Sequence, residues 1–138
     1  MRIANHLMFR GNCAEAFTFY ARVLGGQTVT MIPYRDSPMA DQVPPDWRDR
    51  IMHATLALPA DELMGADVLP EQYHQPQGFS LHLAIEDPAR ARAIFDGLAE
   101  GGTVTMPMQE TFWSAAFGAL TDRFGITWAI SCESAATG

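Results

Sequence analysis

The sequence predicts an α+β fold made of two tandem βαβββ modules, and three observations carry that expectation. Sliding the 138-residue chain on itself by 75 positions without a gap lays Thr28-Val29-Thr30-Met31 on Thr103-Val104-Thr105-Met106. Upstream in the same frame, Asn12 falls on Asp87, Ala14 on Ala89, Ala16 on Ala91, Phe19 on Ile94, Tyr20 on Phe95, Val23 on Leu98 and Gly26 on Gly101. Both halves also carry a helical apolar period between a capping residue and a glycine, flanked by β-rich segments. A self-match of this unit size points to two copies of one supersecondary element.

The elements follow in order. Ile3 to Phe9 reads as a strand. Asn12, a good N-cap, then opens a helix of about 12 residues that ends at glycines suited to a left-handed C-cap. Thr28 to Ile32 is β-branched and reads as the second strand, and Ile51 to Leu58 and Glu62 to Ala66 form a hairpin around Pro59-Ala60-Asp61. The second copy repeats the plan: Phe79 to Ile85, a helix capped by Asp87 with Pro88 at its first position, and Thr103 to Met108. Proline is tolerated there because the missing N–H would have had no intrahelical partner. Ser114 to Leu120 and Ile126 to Ser131 close the copy around a turn at 121–125. Tyr34 to Arg50, with Pro38, Pro44 and Pro45 among many charges, is expected to lack regular structure and is a candidate lid. Residues 67–78, with Pro70 and Pro76, read as the linker, so the modules span about 1–68 and 78–134 of a single domain.

Composition narrows the function classes. Apolar residues make up 48% and charged residues 18%, enough to bury a core and too apolar for a disordered chain. Nine basic against sixteen acidic side chains give a net charge of -7, which on average repels phosphate backbones and anionic lipids, so no nucleic-acid or membrane partner is expected. The longest apolar runs are too short for the roughly 20 residues of a membrane helix. The first residues show no secretory leader pattern, so a cytoplasmic location is expected by default. Cys13 and Cys132 form no disulfide framework and read as reduced thiols.

The second-half run Gly101-Gly102-Thr103-Val104-Thr105-Met106-Pro107-Met108-Gln109-Glu110-Thr111-Phe112-Trp113 is followed by Phe117-Gly118 and by Leu120-Thr121-Asp122-Arg123-Phe124-Gly125-Ile126-Thr127-Trp128. Both resemble the signature of the PhnB-like branch of the vicinal oxygen chelate superfamily, which includes glyoxalase I, extradiol dioxygenases and the fosfomycin and bleomycin resistance proteins. Gly11-Asn12-Cys13-Ala14-Glu15-Ala16 with Phe19-Tyr20 and Gly25-Gly26 resembles the first helix of that branch, so the likeness covers nearly the whole chain. It implies the glyoxalase/bleomycin resistance-like fold, with the two modules forming a curved eight-stranded cup, usually in a homodimer. Members are often labelled demethylubiquinone methyltransferases, but the usual methyltransferase needs a glycine-rich strand-to-helix turn in a parallel sheet, and no such turn follows any strand of this sequence.

In metal-using relatives the resemblance implies His or Glu ligands on the first and last strand of each module, because imidazole and carboxylate hold a divalent ion while leaving positions open for substrate. Those positions map to Asn5, Gly65, Ser80 and Ala129, none a competent ligand set. A one-residue slip brings in His6 with Met64 or Ala66, Leu81 or Phe79, and Trp128 or Ile130. No metal and no cofactor are therefore expected.

Alternation along the strands places Ser80, His82, Thr127 and Ser131 on the cup face and His53 and Thr55 together on one face of a central strand. His82 is a candidate general base. Glu110, in the polar and aromatic cluster Gln109-Glu110-Thr111-Phe112-Trp113, is a candidate acid whose pKa the flanking rings would raise. The expected pocket comprises Asn5, His53, Thr55, Ser80, Gln109, Trp113, Thr127 and Ala129. His6 counts onto the opposite face and reads as a core or interface histidine, and Cys13 as structural. The methionines suit an adaptable apolar lining or a core.

Three readings follow. The first is a metal-free cup protein that binds a small, partly apolar molecule as a homodimer, with acid–base chemistry if it turns the molecule over. The second is a lyase or dioxygenase holding a divalent ion with unconventional ligands, His82, His53 and Glu110. The third is a structural or interaction module whose cup is filled by side chains.

Overall fold

The computed structural model describes residues 1–26, 28–111 and 116–132. The described chain divides into two compact units, Met1–His74 and Gln75–Gly138. Each contains one α-helix on a four-stranded mixed sheet.

In the first unit β1 (Leu7–Phe9), α1 (Cys13–Leu24), β2 (Thr28–Pro33), β3 (Ile51–Ala57) and β4 (Glu62–Asp67) give the sheet order β1-β4-β3-β2. In the second, β5 (Leu81–Ile85), α2 (Pro88–Ala99), β6 (Thr103–Gln109), β7 (Ala116–Thr121) and β8 (Thr127–Cys132) give β5-β8-β7-β6. The first strand of each unit runs parallel to the fourth and the other pairs are antiparallel. Two tandem βαβββ modules are thus present in the order the repeat predicts.

Helix α1 forms because its apolar positions recur at helical spacing, and it buries Ala16, Phe17, Phe19, Tyr20 and Leu24. Phe17 meets Phe9 edge-on at 6.1 Å and Tyr20 at 6.0 Å; burial of each such ring is worth on the order of 2 kcal/mol. Gly25, at φ 74°, closes the helix in the left-handed region, where a Cβ would be strained. The start differs from expectation. Asn12 makes no side-chain cap, and the carboxylate of Asp67, at the end of β4, does the work instead. Its Oδ1 accepts from Gly11 N (2.9 Å) and Cys13 N (3.0 Å), and its Oδ2 from Ile51 N (2.9 Å). Asp67 is 1% exposed and belongs to β4, so the linker does not begin there.

Module 2 caps its helix locally: Asp87 accepts from Ala89 N and Pro88 takes the first position. Its buried carboxylate is Asp122, whose Oδ1 accepts from Phe124 N (2.8 Å) and Ile126 N (3.0 Å) and whose Oδ2 accepts from the Trp128 indole (2.9 Å). The run from Asp122 to Trp128 is therefore a hairpin turn stapled from inside. Ala91, Ile94, Phe95 and Leu98, spaced by three and four, bury against Trp128 and Ile130 on the covered face of the sheet.

Strand β1 is shorter than the expected Ile3–Phe9. The Asn5 side chain pairs with β4 in place of main chain: Nδ2 donates to Glu62 O (3.0 Å) and Oδ1 accepts from Met64 N (3.1 Å). The 34–50 segment is also more ordered than a free lid. It holds three short 3-10 turns, Tyr34–Asp36, Ala40–Gln42 and Pro45–Trp47, and buries Tyr34 and Val43. Tyr34 Oη donates to Asp67 O (2.7 Å), and Arg50, stacked on Trp47, donates to Gly11 O (2.8 Å).

Removing a carboxylate that satisfies three amides leaves buried donors without partners. Asp67→Ala is expected to lose at least about 3 kcal/mol in urea unfolding, against about 1 kcal/mol for Asp87→Ala at an exposed cap. Equal losses for the two variants would contradict this assignment.

Candidate functional site

Each sheet has one face covered by its own helix and one that this helix leaves open. In module 1 the pairs Met8 with Ala66, Thr55 with Met64, Thr30 with Thr55 and Ile32 with His53 place these residues on the open face, since partners in a ladder point the same way. His6, two residues before Met8, shares that face: its ring centroid lies 6.2 Å from that of His53, with the planes 27° apart. Thr55 Oγ1 and His53 Nε2 lie 3.1 Å apart in a hydrogen bond. Partial burial, and next the neighbouring His53, hold His6 below the ordinary imidazole value.

In module 2 the register places His82, Ala129, Ala119 and Met106 in one row of the open face. Ser131, Phe117 and Gln109 form the next. His82 Nε2 is 2.8 Å from Ser131 Oγ, and its ring lies 6.4 Å from the Phe117 ring at 69°. Ser131 is 2% exposed, whereas His82 reaches solvent. The hydroxyl thus fixes one imidazole nitrogen from below and leaves the other edge open.

The two open faces are built alike. Aligning β4 with β8 puts Gly65 on Ile130, and their partners then put Leu7 on Leu83, Thr55 on Ala119 and His53 on Phe117. His6 falls on His82. Each module therefore carries an imidazole in ring contact with a ring on its third strand, His6, immediately before β1, with His53, and His82, in β5, with Phe117. The strands repeat at 76 residues (Leu7 to Leu83) and the helices at 75 (Cys13 to Pro88). The first strand-to-helix loop, Arg10-Gly11-Asn12, is one residue longer than Glu86-Asp87. An ungapped match cannot accommodate that residue, and this is why His6 counts onto the wrong face in the sequence.

The same extra residue corrects Gly65. It lies under α1, where a Cβ would stand 2.8 Å from both the Phe17 ring and Leu7 O. Module 1 thus follows the slipped register and module 2 the original one. The open-face positions on the first and last strands become His6 with Met64 and Ala66, and Ser80 and His82 with Ala129. First and last strands offer one imidazole per module on the open face, the Glu62 carboxylate of β4 is paired with Arg2, and β8 has no acidic residue, which does not fit the His and Glu set of a divalent ion; Asn5 has both amide atoms committed to β4. Among the described residues no three His, Cys, Asp or Glu side chains gather to hold a metal.

The structure brings His53 and Thr55 together in module 1, and Ala129 beside His82 in module 2. Ser80 is exposed just before β5, and Thr127 donates to Phe79 O. Gln109 ends β6 opposite Phe117, and Glu110 follows it in solvent. Trp113, and Phe112 beside it, lie outside the described residues. Sequence reasoning missed His6 and Phe117 as site residues; for His6 the signal that could have found it is the apolar pair that follows each histidine at the same spacing, Leu7 and Phe9 after His6 and Leu83 and Ile85 after His82.

Residues 1–131 match the family model described as 3-demethylubiquinone-9 3-methyltransferase. Protein YjdN of Escherichia coli (strain K12) is 33% identical over 141 residues, covering 95% of each chain. Protein PA1353 from Pseudomonas aeruginosa superposes with a TM-score of 0.87 at 45% identity, over 96% of this chain and 98% of that one. A PhnB protein from Bacillus cereus, titled a putative 3-demethylubiquinone-9 3-methyltransferase, superposes at 0.76 with 25% identity, over 96% and 99%. The fold alone recurs in a glyoxylase/bleomycin resistance protein/dioxygenase domain from Frankia sp. EAN1pec, at 0.64 and 15% identity over 96% and 97%.

Cys13 and Cys132 are both fully buried thiols that form no disulfide. Burial, and then the Asp67 carboxylate, push the Cys13 thiol far up. Iodoacetamide is expected to alkylate the native protein at least about a hundredfold more slowly than the urea-unfolded chain. Fast native labelling at Cys13 would contradict the buried, protonated thiol.

Proposed function

We propose that this chain, which belongs to the PhnB-like family of the glyoxalase/bleomycin resistance/dioxygenase superfamily, binds a small, partly apolar molecule on the open faces of its modules. The observation that carries this reading is the matched pair of imidazole–ring contacts, His6 with His53 and His82 with Phe117, set among methionine, alanine and threonine side chains. Apolar side chains supply area, and a few fixed polar groups supply orientation, which is the composition of a small-molecule site. His53, Thr55, Ser80, His82, Gln109, Thr127 and Ala129 are the polar and spacing residues in this reading. Asn5 is a strand-pairing residue, and Trp113 remains a candidate wall.

His82 is the group placed for proton transfer. Its bond to Ser131 holds Nε2 and orients the ring, so the other nitrogen can give or take a proton from a bound molecule. Glu110, exposed at the end of β6, is a second candidate. The reaction named in the family description is not part of this reading. Methyl transfer from a nucleotide-type donor calls for a glycine-rich strand-to-helix turn in a parallel sheet. The corresponding turns here are Arg10-Gly11-Asn12 and Glu86-Asp87, in mixed sheets.

The reading extends to a cytoplasmic homodimer. Exposed Phe79 and Val104 on the second module favour a covered surface in the assembled protein. No helix among the described residues is long and apolar enough to cross a membrane.

Methionine methyl NMR separates the two faces. A set of small aromatic fragments is expected to shift Met8, Met64 and Met106 and to leave Met31 and Met108, on the covered faces, unmoved. Ala129→Phe, which fills the space beside His82, is expected to weaken the best fragment at module 2 about tenfold or more, on the order of 1.4 kcal/mol. Shifts confined to Met31 and Met108 would defeat the proposal.

A further inference from the structure

The open face of module 1 differs from that of module 2 in one chemical respect. Where module 2 sets a phenyl ring against its histidine, module 1 sets a second imidazole. We infer that His6 and His53 form a binding site for a small monoanion, a carboxylate on a partly apolar body, held by the two imidazoles with the body on Met8 and Met64. This rests on the reading that the open face of module 1 is a ligand face, and adds the charge class of the ligand.

Four observations support it. The two rings stand 6.2 Å apart and nearly parallel, so both can offer N–H groups to one anion from the same side. Thr55 holds His53 Nε2, which fixes the ring and leaves its other nitrogen available. Met8 and Met64 lie on the same face and give an apolar body a place to rest beside the two rings. The charge at the site is also unopposed. On this face the residue before β1 is His6, β1 contributes Met8, β3 contributes His53 and Thr55, and β2 contributes Thr30 and Ile32. The titratable group of β4 there is Glu62, whose Oε1 is held by Arg2 Nη2 at 3.1 Å. Among the described residues, a proton on either imidazole thus meets no carboxylate on this face but the Arg2-paired Glu62.

The sign of the pH dependence follows. Burial and the second imidazole disfavour a proton on His6, so it is neutral near pH 7 and charges as the pH falls. An arriving anion supplies the missing counter-charge, so binding takes up a proton and tightens on acidification.

The test is an NMR titration of the imidazole Cε1–H signals with and without benzoate as the anionic probe, and with benzamide as its neutral match. Saturating benzoate is expected to raise the titration midpoint of His6 by about one pH unit, and its affinity to rise about tenfold between about pH 8 and about pH 5. His74, in the segment between the modules, should not move. His53→Gln should remove most of the His6 shift, while Met8 and Met64 still report the aromatic body. If benzamide binds as well as benzoate and leaves His6 unshifted, the anion site is wrong and the ligand face stands. If neither perturbs Met8, Met64 or the histidines, the ligand face of module 1 falls with it.

Discussion

The buried carboxylate of Asp67 is the constraint on which module 1 depends. Its two oxygens take three main-chain N–H groups, from Gly11, Cys13 and Ile51, and its own carbonyl takes the Tyr34 hydroxyl. One side chain therefore ties the end of β4 to the start of α1, the start of β3 and the irregular segment after β2. A polar side chain 1% exposed is tolerable only with that many partners. By fixing the three-residue loop between β1 and α1, it also fixes which side of β1 faces the helix. Leu7 and Phe9 go under α1, so Met8, and His6 before it, go to the open face. Module 2 solves the same joins separately: Cys132 stands where Asp67 does, with its thiol on Glu86 O, Asp87 caps the helix, and Asp122 staples the hairpin.

The duplicated frame then diverges only where it is free to. Covered faces are packed by ring and branched side chains, with Gly65 in module 1 and Gly118 in module 2 making room for Phe17 and Phe95. A change there is costly, because interiors are close-packed. Open faces carry no such demand, and there the modules differ in chemistry: two imidazoles and a threonine in one, an imidazole, a buried serine and a phenyl ring in the other.

Much of the fold was legible because the signals were local. Helix period, Asp87 with Pro88, and the hairpin turns each specify structure within a few residues, and the order of elements followed from them. What depended on distant contacts was not legible. Nothing near Asp67 in the sequence announces that it caps a helix more than fifty positions earlier, and Asn5 reads as a pocket residue until β4 is seen to take both of its amide atoms. The site suffered most from one inserted residue. Because strand side chains alternate, a single-position error sends His6 to the opposite face and Gly65 to the wrong one. His53 with Thr55, and His82 above Ser131, were legible from period two alone, since no insertion interrupts those strands.

The account stands or falls on what the open faces hold in the protein as isolated from cells. Native mass spectrometry of freshly purified chain measures that directly, because it weighs the subunits together with anything they retain. The account predicts a retained organic mass of small-molecule size that is lost on denaturation. A chain carrying one divalent ion per subunit, and no organic molecule, would contradict it.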